Sequence, residues 1–321
     1  MTRVRPSALA LLTLALAAPA VAQTWPEKGI RIVVGFPPGP TDLMGRPVAA
    51  KLQEVLKVPV VFENRPGANG AIAAEQIARA EPDGHTILLG TAGTHMTAVH
   101  LVKNLRYDPV KDFAPVIAAI EPATCLVAHP SLPVKNVPEL IAYAKANPGK
   151  LSYGSTGVGS FFHLAGELFN QKAGVKTVHV PYKGADAAIT DLIGGHIPLV
   201  YTSLSTAGPH IQSGAARLIA TLEPKRFSKL PDAASISEAL PAFQKPSTWF
   251  GFFAPRATPA PVIARLNAEI DRILNTAEVR GLMEQNGYSV IGGPPERLTE
   301  LMVDGIARFG EIVKAAGIEP E

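Results

Sequence analysis

The sequence predicts an α/β protein built from two lobes that are joined by two crossings of the chain. Apolar segments with strand character alternate with helix-compatible segments along most of its 321 residues, which predicts sheets covered by helices. Two further β-prone stretches, residues 113–127 and 249–254, separate the alternating parts and mark the crossings. Small and hydroxyl-bearing residues follow several predicted strands. Because ligands of such sheets lie beyond the carboxyl ends of the strands, we expect a hinged protein with a ligand cleft.

The first 22 residues have the pattern of a secretory signal peptide. Arg3 and Arg5 precede a short apolar run at residues 8–18, and small residues at 20–22 form a cleavage site. The apolar run is too short to anchor the chain stably across a bilayer. We therefore expect an exported, soluble protein of a bacterial periplasm, cleaved after Ala22.

Composition excludes several classes of partner. Removing the two arginines of the leading segment from 30 Lys and Arg leaves 28, against 27 Asp and Glu. A charge near +1 provides no basic excess for binding nucleic acid. Cys125 is the single cysteine and the eight histidines lack metal-ligand spacing. We expect a monomer with no disulfide within the chain, no metal and no cofactor.

The first lobe is predicted from residues 23–122 together with 250–321. Its predicted strands and helices alternate in the order 30–36, 42–56, 58–62, 69–80 and 85–90. This alternation predicts a mostly parallel sheet, with the loops 36–42 and 91–95 at the carboxyl ends of its strands. Pro115 and Pro122 interrupt the run 113–127, which argues against an interior strand and for a crossing into the second lobe.

The second lobe is predicted from residues 123–249. Its predicted elements are a helix at 138–146, a strand, loop and helix at 151–169, a strand at 177–181, a helix at 185–193, a strand at 197–201 that ends in Thr202 and Ser203, a further helix, and a strand at 217–222. The aromatic segment 249–254 is the return crossing, where the rings are expected to fill the core. Three helices at 261–274, 277–286 and 295–316 then pack on the first lobe.

The stretch 151–169 carries the strongest local signal for a ligand site. Three glycines of its loop allow a close approach of the backbone, and Ser160 is a candidate N-cap of the helix that follows. Free N–H groups and the positive end of a helix dipole favour an anion, here a carboxylate. The same residues also suit a tight strand-to-helix turn whose hydroxyls only cap the helix. The spacing fits neither a dinucleotide fingerprint nor a nucleophile elbow.

Seven motifs together resemble the Bug family, the TctC-like extracytoplasmic solute receptors of tripartite tricarboxylate transporters. In chain order they are W-P-E-K-G-I-R-I-V-V-G-F-P-P-G, F-E-N-R-P-G-A-N-G, P-D-G-H-T-I-L-L-G-T-A-G-T-H, Y-D-P-V-K-D-F-A-P-V, Y-G-S-T-G-V-G-S-F-F-H-L-A-G-E-L-F, H-V-P-Y-K-G and W-F-G-F-F-A-P. The resemblance implies a type II periplasmic-binding-protein-like fold and a small organic carboxylate held between the lobes. It also implies membrane subunits of a transporter as partners.

Carried over by position, the resemblance implies contacts from both lobes. In the first lobe these are Phe36, Pro38, Gly39, Thr41, Asp42, Thr91, Thr94 and His95. In the second lobe they are Ser155, Thr156, Gly157, Ser160, His163, Thr202 and Ser203. Asp42 is interpreted first as a carboxylate that complements the helix dipole, while His163 suits a hydrogen bond to either the ligand or the loop.

The chain departs from the family pattern at three places. Pro40 replaces a common glycine and removes a backbone donor, and His100 stands where Asn is common. Thr202 and Ser203 stand where Asp-Asn is usual. A neutral hydroxyl in place of that carboxylate predicts a ligand without an amino group near its bound carboxylate.

Two other functions remain open at this point. A closed binding protein also suits a sensing system, in which it would dock on a periplasmic sensor domain. An exported hydrolase would use Ser155 or Ser160 with His163, but only Glu167 stands at helical spacing to orient that histidine.

Overall fold

Two sheets organise the computed structural model, which describes residues 25–227 and 229–320. The predicted signal peptide lies outside the described residues. The strands are β1 (Ile30–Val34), β2 (Val60–Asn64), β3 (Thr86–Thr91), β4 (Phe113–Pro122), β5 (Thr124–Ala128), β6 (Ser152–Ser155), β7 (Val178–Pro181), β8 (Leu199–Ser203), β9 (Arg217–Thr221), β10 (Phe250–Pro255) and β11 (Tyr288–Val290). The mixed α/β chain thus has the predicted two-lobe fold.

Helices connect nearly all of these strands. They are α1 (Pro40–Leu56), α2 (Ala71–Ala78), α3 (Ala98–Leu101), α4 (Val137–Ala146), α5 (Phe161–Ala173), α6 (Ala185–Ile193), α7 (Leu204–Gln212), α8 (Ile236–Ala239), α9 (Ala260–Leu274), α10 (Ala277–Gln285) and α11 (Pro295–Ala316). Among the described residues no helix is long and apolar enough to cross a membrane.

The first sheet has the strand order β11-β4-β10-β3-β1-β2. β1 pairs in parallel with β2 and β3, so these strands present their carboxyl ends at one edge. The second sheet has the order β7-β6-β8-β5-β9, in which β6 pairs in parallel with β7 and β8. The ends of β1, β3, β6 and β8 therefore carry most of the predicted contact residues.

The prediction of a mostly parallel sheet is wrong, because β10 and β5, the strands that enter each lobe, pair antiparallel with both of their neighbours. β10 pairs antiparallel with β3 and β4, and β5 pairs antiparallel with β8 and β9. A strand that enters a lobe from the other lobe arrives from the cleft side, so its direction is reversed relative to strands that end there.

The prediction that prolines keep residues 113–127 out of a sheet interior is also wrong. β4 lies between β10 and β11. Pro115 is tolerated because the short β11 pairs only with residues 120–122, and because a register shift lies opposite Phe253. At this irregularity the carbonyl of Val116 accepts a hydrogen bond from Asn267 Nδ2 at 2.8 Å.

The crossings are joined by a buried ionic cluster. Lys245 Nζ lies 3.3 Å from Glu121 at the end of β4 and 3.0 Å from Glu223 after β9, and the lysine side chain is 3% exposed. Glu121 also accepts hydrogen bonds from Ser247 and from the backbone N–H of Thr248. The outgoing and returning segments are thus held together where the chain passes between the sheets.

The aromatic return crossing packs into the core, as predicted. Trp249, Phe252 and Phe253 are fully buried. The limits of the two lobes, at residues 122–123 and 249–250, stay a prediction.

Candidate functional site

The helix starts that follow β1 and β8 lie side by side. The hydroxyl of Tyr288 on β11 donates to the carbonyl of Pro40 at 3.1 Å, at the first turn of α1. It also lies 3.4 Å from Ser205 Oγ in the first turn of α7. One side chain thus touches a predicted contact segment from each lobe, although sequence analysis assigned Tyr288 no role.

Asp42 is engaged by protein groups in the first turn of α1. Its carboxylate accepts hydrogen bonds from the backbone N–H of Gly39 at 3.3 Å, from Arg46 Nε at 2.8 Å and from Asn64 Nδ2 at 2.9 Å. The Asn64 amide also donates to the carbonyl of Phe36 at 3.0 Å. These bonds support the structural interpretation of Asp42. Sequence analysis missed Asn64, which lies in the quoted F-E-N-R-P-G run.

The loop before α1 and the first turn of that helix leave one side-chain polar group without a partner. Phe36 and Gly39 are half-buried and Pro38 is exposed. Thr41 is 5% exposed, and its Oγ1 has no hydrogen-bond partner among the described residues. Pro40 is the first residue of α1, where a missing backbone N–H costs nothing to the helix.

The segment after β3 differs from the predicted loop. Residues Gly93–Thr97 form a π-helical turn that continues into α3. Thr94 Oγ1 donates to the carbonyl of Thr91 at 3.0 Å and accepts from the N–H of Thr91 at 2.9 Å, so it closes the strand-to-helix turn. Thr91 Oγ1, by contrast, is buried and unpartnered within the described chain.

His95 lies in the core. Its ring stacks on Phe253 with centroids 3.9 Å apart and lies 4.8 Å from the ring of Phe113. Its Nδ1 is 2.8 Å from Thr94 Oγ1, and the residue is 0% exposed. Burial lowers the pKa of His95 to about 3, so the ring is neutral near pH 7. Its Nε2 has no hydrogen-bond partner among the described residues. His95 thus packs as a core residue, and its contact with a ligand stays a prediction.

The turn after β6 uses many of its own donors. The N–H groups of Gly157, Gly159 and Ser160 bond to Ser155 Oγ, His163 Nδ1 and the carbonyl of Gly157. Because these bonds lie within the turn, fewer of its backbone N–H groups are free for a ligand than the sequence predicts. Ser160 caps α5 as predicted, because its Oγ accepts from the N–H of His163 at 3.2 Å. Thr156 lies half-buried on the turn.

His163 is a neutral hydrogen-bond donor at the edge of this turn. Its Nδ1 accepts from the N–H of Gly159 at 3.1 Å, so a neutral ring carries its proton on Nε2. Burial lowers the pKa of His163 to about 4. Its ring stacks on His179 at 3.8 Å, and burial together with the charge of His163 lowers the pKa of His179 to about 3. Sequence analysis missed His179, which opens the quoted H-V-P-Y-K-G motif.

The end of β8 presents two hydroxyls with different roles. Ser203 caps α7, since its Oγ accepts from the N–H of Thr206 at 3.3 Å. Thr202 stands opposite Cys125 in the β5–β8 pairing and is 0% exposed. Its Oγ1 is unpartnered within the described chain, like the hydroxyls of Thr41 and Thr91.

Two surface cavities of the described chain are lined by other residues, apart from Tyr288. One lies beside Phe227, Arg280 and Tyr288, and another beside Phe243 and Lys245. Residues 25–227 and 229–320 contain no group of three His, Cys, Asp or Glu side chains that could hold a metal ion. Among the predicted contact residues, three carry unpartnered buried hydroxyls and His163 carries a neutral donor, and these groups define the candidate site.

Comparison with known proteins places the chain in a family. The model of the TctC family, described as the tripartite tricarboxylate transporter family receptor, matches residues 44–318. The protein BugT of Bordetella pertussis is 32% identical over 310 residues, covering 96% of this chain and 95% of BugT.

Two solved structures are similar over nearly the whole chain. The R. palustris protein Rpa4515 with adipate is 35% identical with a TM-score of 0.86, covering 92% of this chain and 100% of that one. MatC from Rhodopseudomonas palustris with bound malate is 33% identical with a TM-score of 0.81, covering 90% of this chain and 100% of MatC. Members of the matched family are binding proteins, which removes the hydrolase alternative. The chain belongs to the TctC family, the Bug proteins, whose members are periplasmic solute-binding receptors and not enzymes.

Proposed function

We propose that this protein binds a small dicarboxylate in the cleft between its lobes and delivers it to the membrane subunits of a tripartite tricarboxylate-type transporter. The family description supports the transporter partnership. The adipate and malate in two similar structures support the ligand class. The signal-peptide pattern supports export to the periplasm.

Three buried hydroxyls carry the proposal. Thr41, Thr91 and Thr202 follow or end strands of both sheets, and each has a buried Oγ1 without a partner among the described residues. A buried polar group without a hydrogen bond costs about 1–3 kcal/mol. Carboxylate oxygens accept several hydrogen bonds at once, and charge-assisted bonds are stronger than neutral ones. An anionic ligand between the lobes would therefore recover this cost.

The charge of the site also suits an anion. α1, α5 and α7 begin at the ends of β1, β6 and β8, so their positive dipole ends face the same side as the hydroxyls. Asp42 adds a negative charge there, but Arg46 lies 2.7 Å from its carboxylate and offsets it. His163 contributes its neutral Nε2–H.

The first test compares acids with their amides. We expect adipate or malate to raise the melting temperature and to bind in titration calorimetry, while adipamide and malamide do not. A ligand at 100 times its Kd should stabilise the protein by about 2.7 kcal/mol. Binding should survive treatment with a chelator. Equal shifts from acid and amide, or no binding of any dicarboxylate, would contradict the proposal.

The second test removes each unpartnered hydroxyl without changing side-chain volume. Thr41→Val, Thr91→Val and Thr202→Val should leave the stability of the ligand-free protein unchanged or higher, because no hydrogen bond is lost. Each should weaken dicarboxylate binding by about three- to tenfold, since a ligand bond is lost.

Thr177→Val is the matched control for this series. The Thr177 hydroxyl donates to Asn170 Oδ1 at 2.7 Å and the residue is 6% exposed. Its replacement should lower stability by about 1 kcal/mol and leave affinity unchanged. The opposite pattern, with stability lost in the series and affinity retained, would mean that the three hydroxyls serve the fold alone.

A further inference from the structure

His179 touches two of the predicted contact residues although it was not among them. It stands on β7, the edge strand of the second sheet. Its Nε2 lies 2.7 Å from Ser155 Oγ. Its ring stacks on that of His163 with centroids 3.8 Å apart and planes 17° apart. One side chain therefore supports both the start of the turn and the histidine at its end.

The hydrogen bonds of Ser155 show what His179 contributes. A hydroxyl has one proton and two lone pairs. The N–H of Gly157 donates to Ser155 Oγ at 3.2 Å, and the carbonyl of Gly157 can accept its proton at 3.1 Å. Ser160 Oγ also lies 3.4 Å from Ser155 Oγ, and it makes the longest of these contacts. The two bonds to Gly157 persist beside the much shorter His179 contact only if His179 donates from Nε2 and Ser160 directs its proton elsewhere. Neutral His179 then has its proton on Nε2, and Ser155 is fixed against Gly157.

The left-handed backbone at this position makes such support necessary. Gly157 has φ +125°, a conformation that a glycine adopts without strain and leaves equally easily. The two bonds between Ser155 and Gly157 hold this residue. The N–H of Gly159, two residues further on, donates to His163. His179 contacts the two side chains that anchor both glycines.

We propose that His179 is a positioning residue for ligand binding, which holds Ser155 from one side and the ring of His163 from the other. This inference rests on the proposed carboxylate function. Its consequence is that the turn 156–160 and the Nε2–H of His163 keep one orientation before the ligand arrives. A site that is ordered in advance loses less conformational entropy on binding.

The surroundings keep both imidazoles neutral, as this arrangement requires. The ring of Tyr153 lies 5.2 Å from that of His179 and 5.3 Å from that of Tyr201. Glu167, the carboxylate on the same side, is bonded to the hydroxyl of Tyr153 at 2.6 Å instead of to either histidine. A proton added to one ring of the stack would also be repelled by a charge on the other.

Two variants separate the two contacts of His179. His179→Phe keeps a ring to stack on His163 but removes the donor to Ser155, whereas His179→Gln keeps a donor and removes the ring. With adipate as the probe, or malate if adipate gives no shift, we expect about tenfold weaker binding for Phe and about threefold for Gln.

A matched control is available at the opposite end of the sheet. His129 Nδ1 lies 2.6 Å from Ser131 Oγ, just beyond the end of β5. His129→Phe removes a histidine–serine contact of the same kind and should leave affinity unchanged. Far-ultraviolet circular dichroism and melting of each variant confirm that it is folded.

A double-mutant cycle tests whether His179 acts through Ser155. Ser155→Ala should weaken binding as much as His179→Phe, and the double variant should be less than about twofold weaker than either. Fully additive losses would overturn the proposed route. Wild-type affinity in both His179 variants would overturn the positioning role itself.

The histidine tautomers provide a readout that needs no ligand. Long-range proton–nitrogen NMR of the ligand-free protein at pH 7 should show His163 and His179 neutral, each with its proton on Nε2. Ser155→Ala should change the His179 signals, and His129→Phe should not. A proton on Nδ1 of His179 would overturn the inference even if dicarboxylates bind. If no dicarboxylate binds wild type while these tautomers are found, the proposed function fails and the positioning of the turn stands.

Discussion

His95 and His163 occupy similar places in the sequence of the two lobes and have opposite surroundings in the structure. Each follows a strand and a short hydroxyl-rich segment, and each was predicted to contact the ligand. His95 is enclosed by Phe253 and Phe113 in the core of the first lobe. His163 bonds to Gly159 within its own turn and stacks on His179.

The difference comes from which part of the chain supplies the neighbours. His95 is surrounded by rings from β4 and β10, and β10 arrives only at the return crossing. The neighbours of His163 come from the adjoining turn and from the next strand, β7. A local motif therefore specifies the environment of His163, whereas that of His95 is specified by distant aromatics.

The largest expected effect that separates the two histidines is on stability. His95→Ala should lower the free energy of unfolding by about 3–5 kcal/mol, as for truncation of other buried aromatic side chains. Its dicarboxylate affinity, measured well below the unfolding transition, should match wild type. His163→Ala should cost less stability and weaken binding. Urea unfolding measures the free energy of unfolding, and calorimetry measures the affinity. If the two variants lose stability and affinity to the same extent, the two histidines do not differ in role.

The second expected effect is on the pH dependence of stability. The pKa of His95 is about 3 in the folded protein and about 6.5 in an unfolded chain. Below pH 6.5 the unfolded state therefore binds a proton that the folded state does not. This histidine costs about 1.4 kcal/mol of stability for each pH unit between about 6.5 and 3.

His95→Phe should remove that contribution. Between pH 6.5 and 5 the variant should lose about 2 kcal/mol less stability than wild type. Urea unfolding at several pH values measures the two slopes. Identical slopes would show that the burial of His95 does not govern its protonation.

The smallest expected effect concerns the donor of His163. His163→Phe keeps the stack on His179 and removes both Nε2–H and the Nδ1 acceptor of the Gly159 N–H. Binding of adipate should weaken by about fivefold, which is about 1 kcal/mol. The ligand-free protein should lose about 1 kcal/mol of stability, since the Gly159 N–H loses its partner. Unchanged affinity would place His163 with His95 among the residues that serve the fold.

Local signals in the sequence were sufficient for much of the fold. Ser160 was predicted to cap α5 because a serine precedes an amphipathic helix, and its Oγ accepts the expected bond. The strand positions followed from apolar runs bounded by glycine and proline. These features depend on neighbouring residues, so a single sequence contains them.

Features that depend on distant pairing were missed. β11 has three residues and is defined by its pairing with β4. Pro115 in the sequence predicts a strand outside the sheet interior, but the register shift opposite Phe253 accommodates it. In the candidate site, the unpartnered state of Thr41, Thr91 and Thr202 emerges only once both sheets are assembled, and His179 acquires its role by standing on the strand beside β6.

The strand order of the first sheet has a consequence for the order of folding. β4 has β10 and β11 as its neighbours, and both follow it by more than a hundred residues. Until they are available, an apolar strand has neither of its partners, and β3 also lacks its neighbour on that side. The second sheet consists of β5 to β9, which are consecutive in the chain, so none of its strands depends on a partner from a distant segment. Long-range pairing of this kind slows folding and prolongs the exposure of strand edges. We therefore expect the sheet formed by β5 to β9 to acquire structure first and the sheet that contains β1 and β11 to close last.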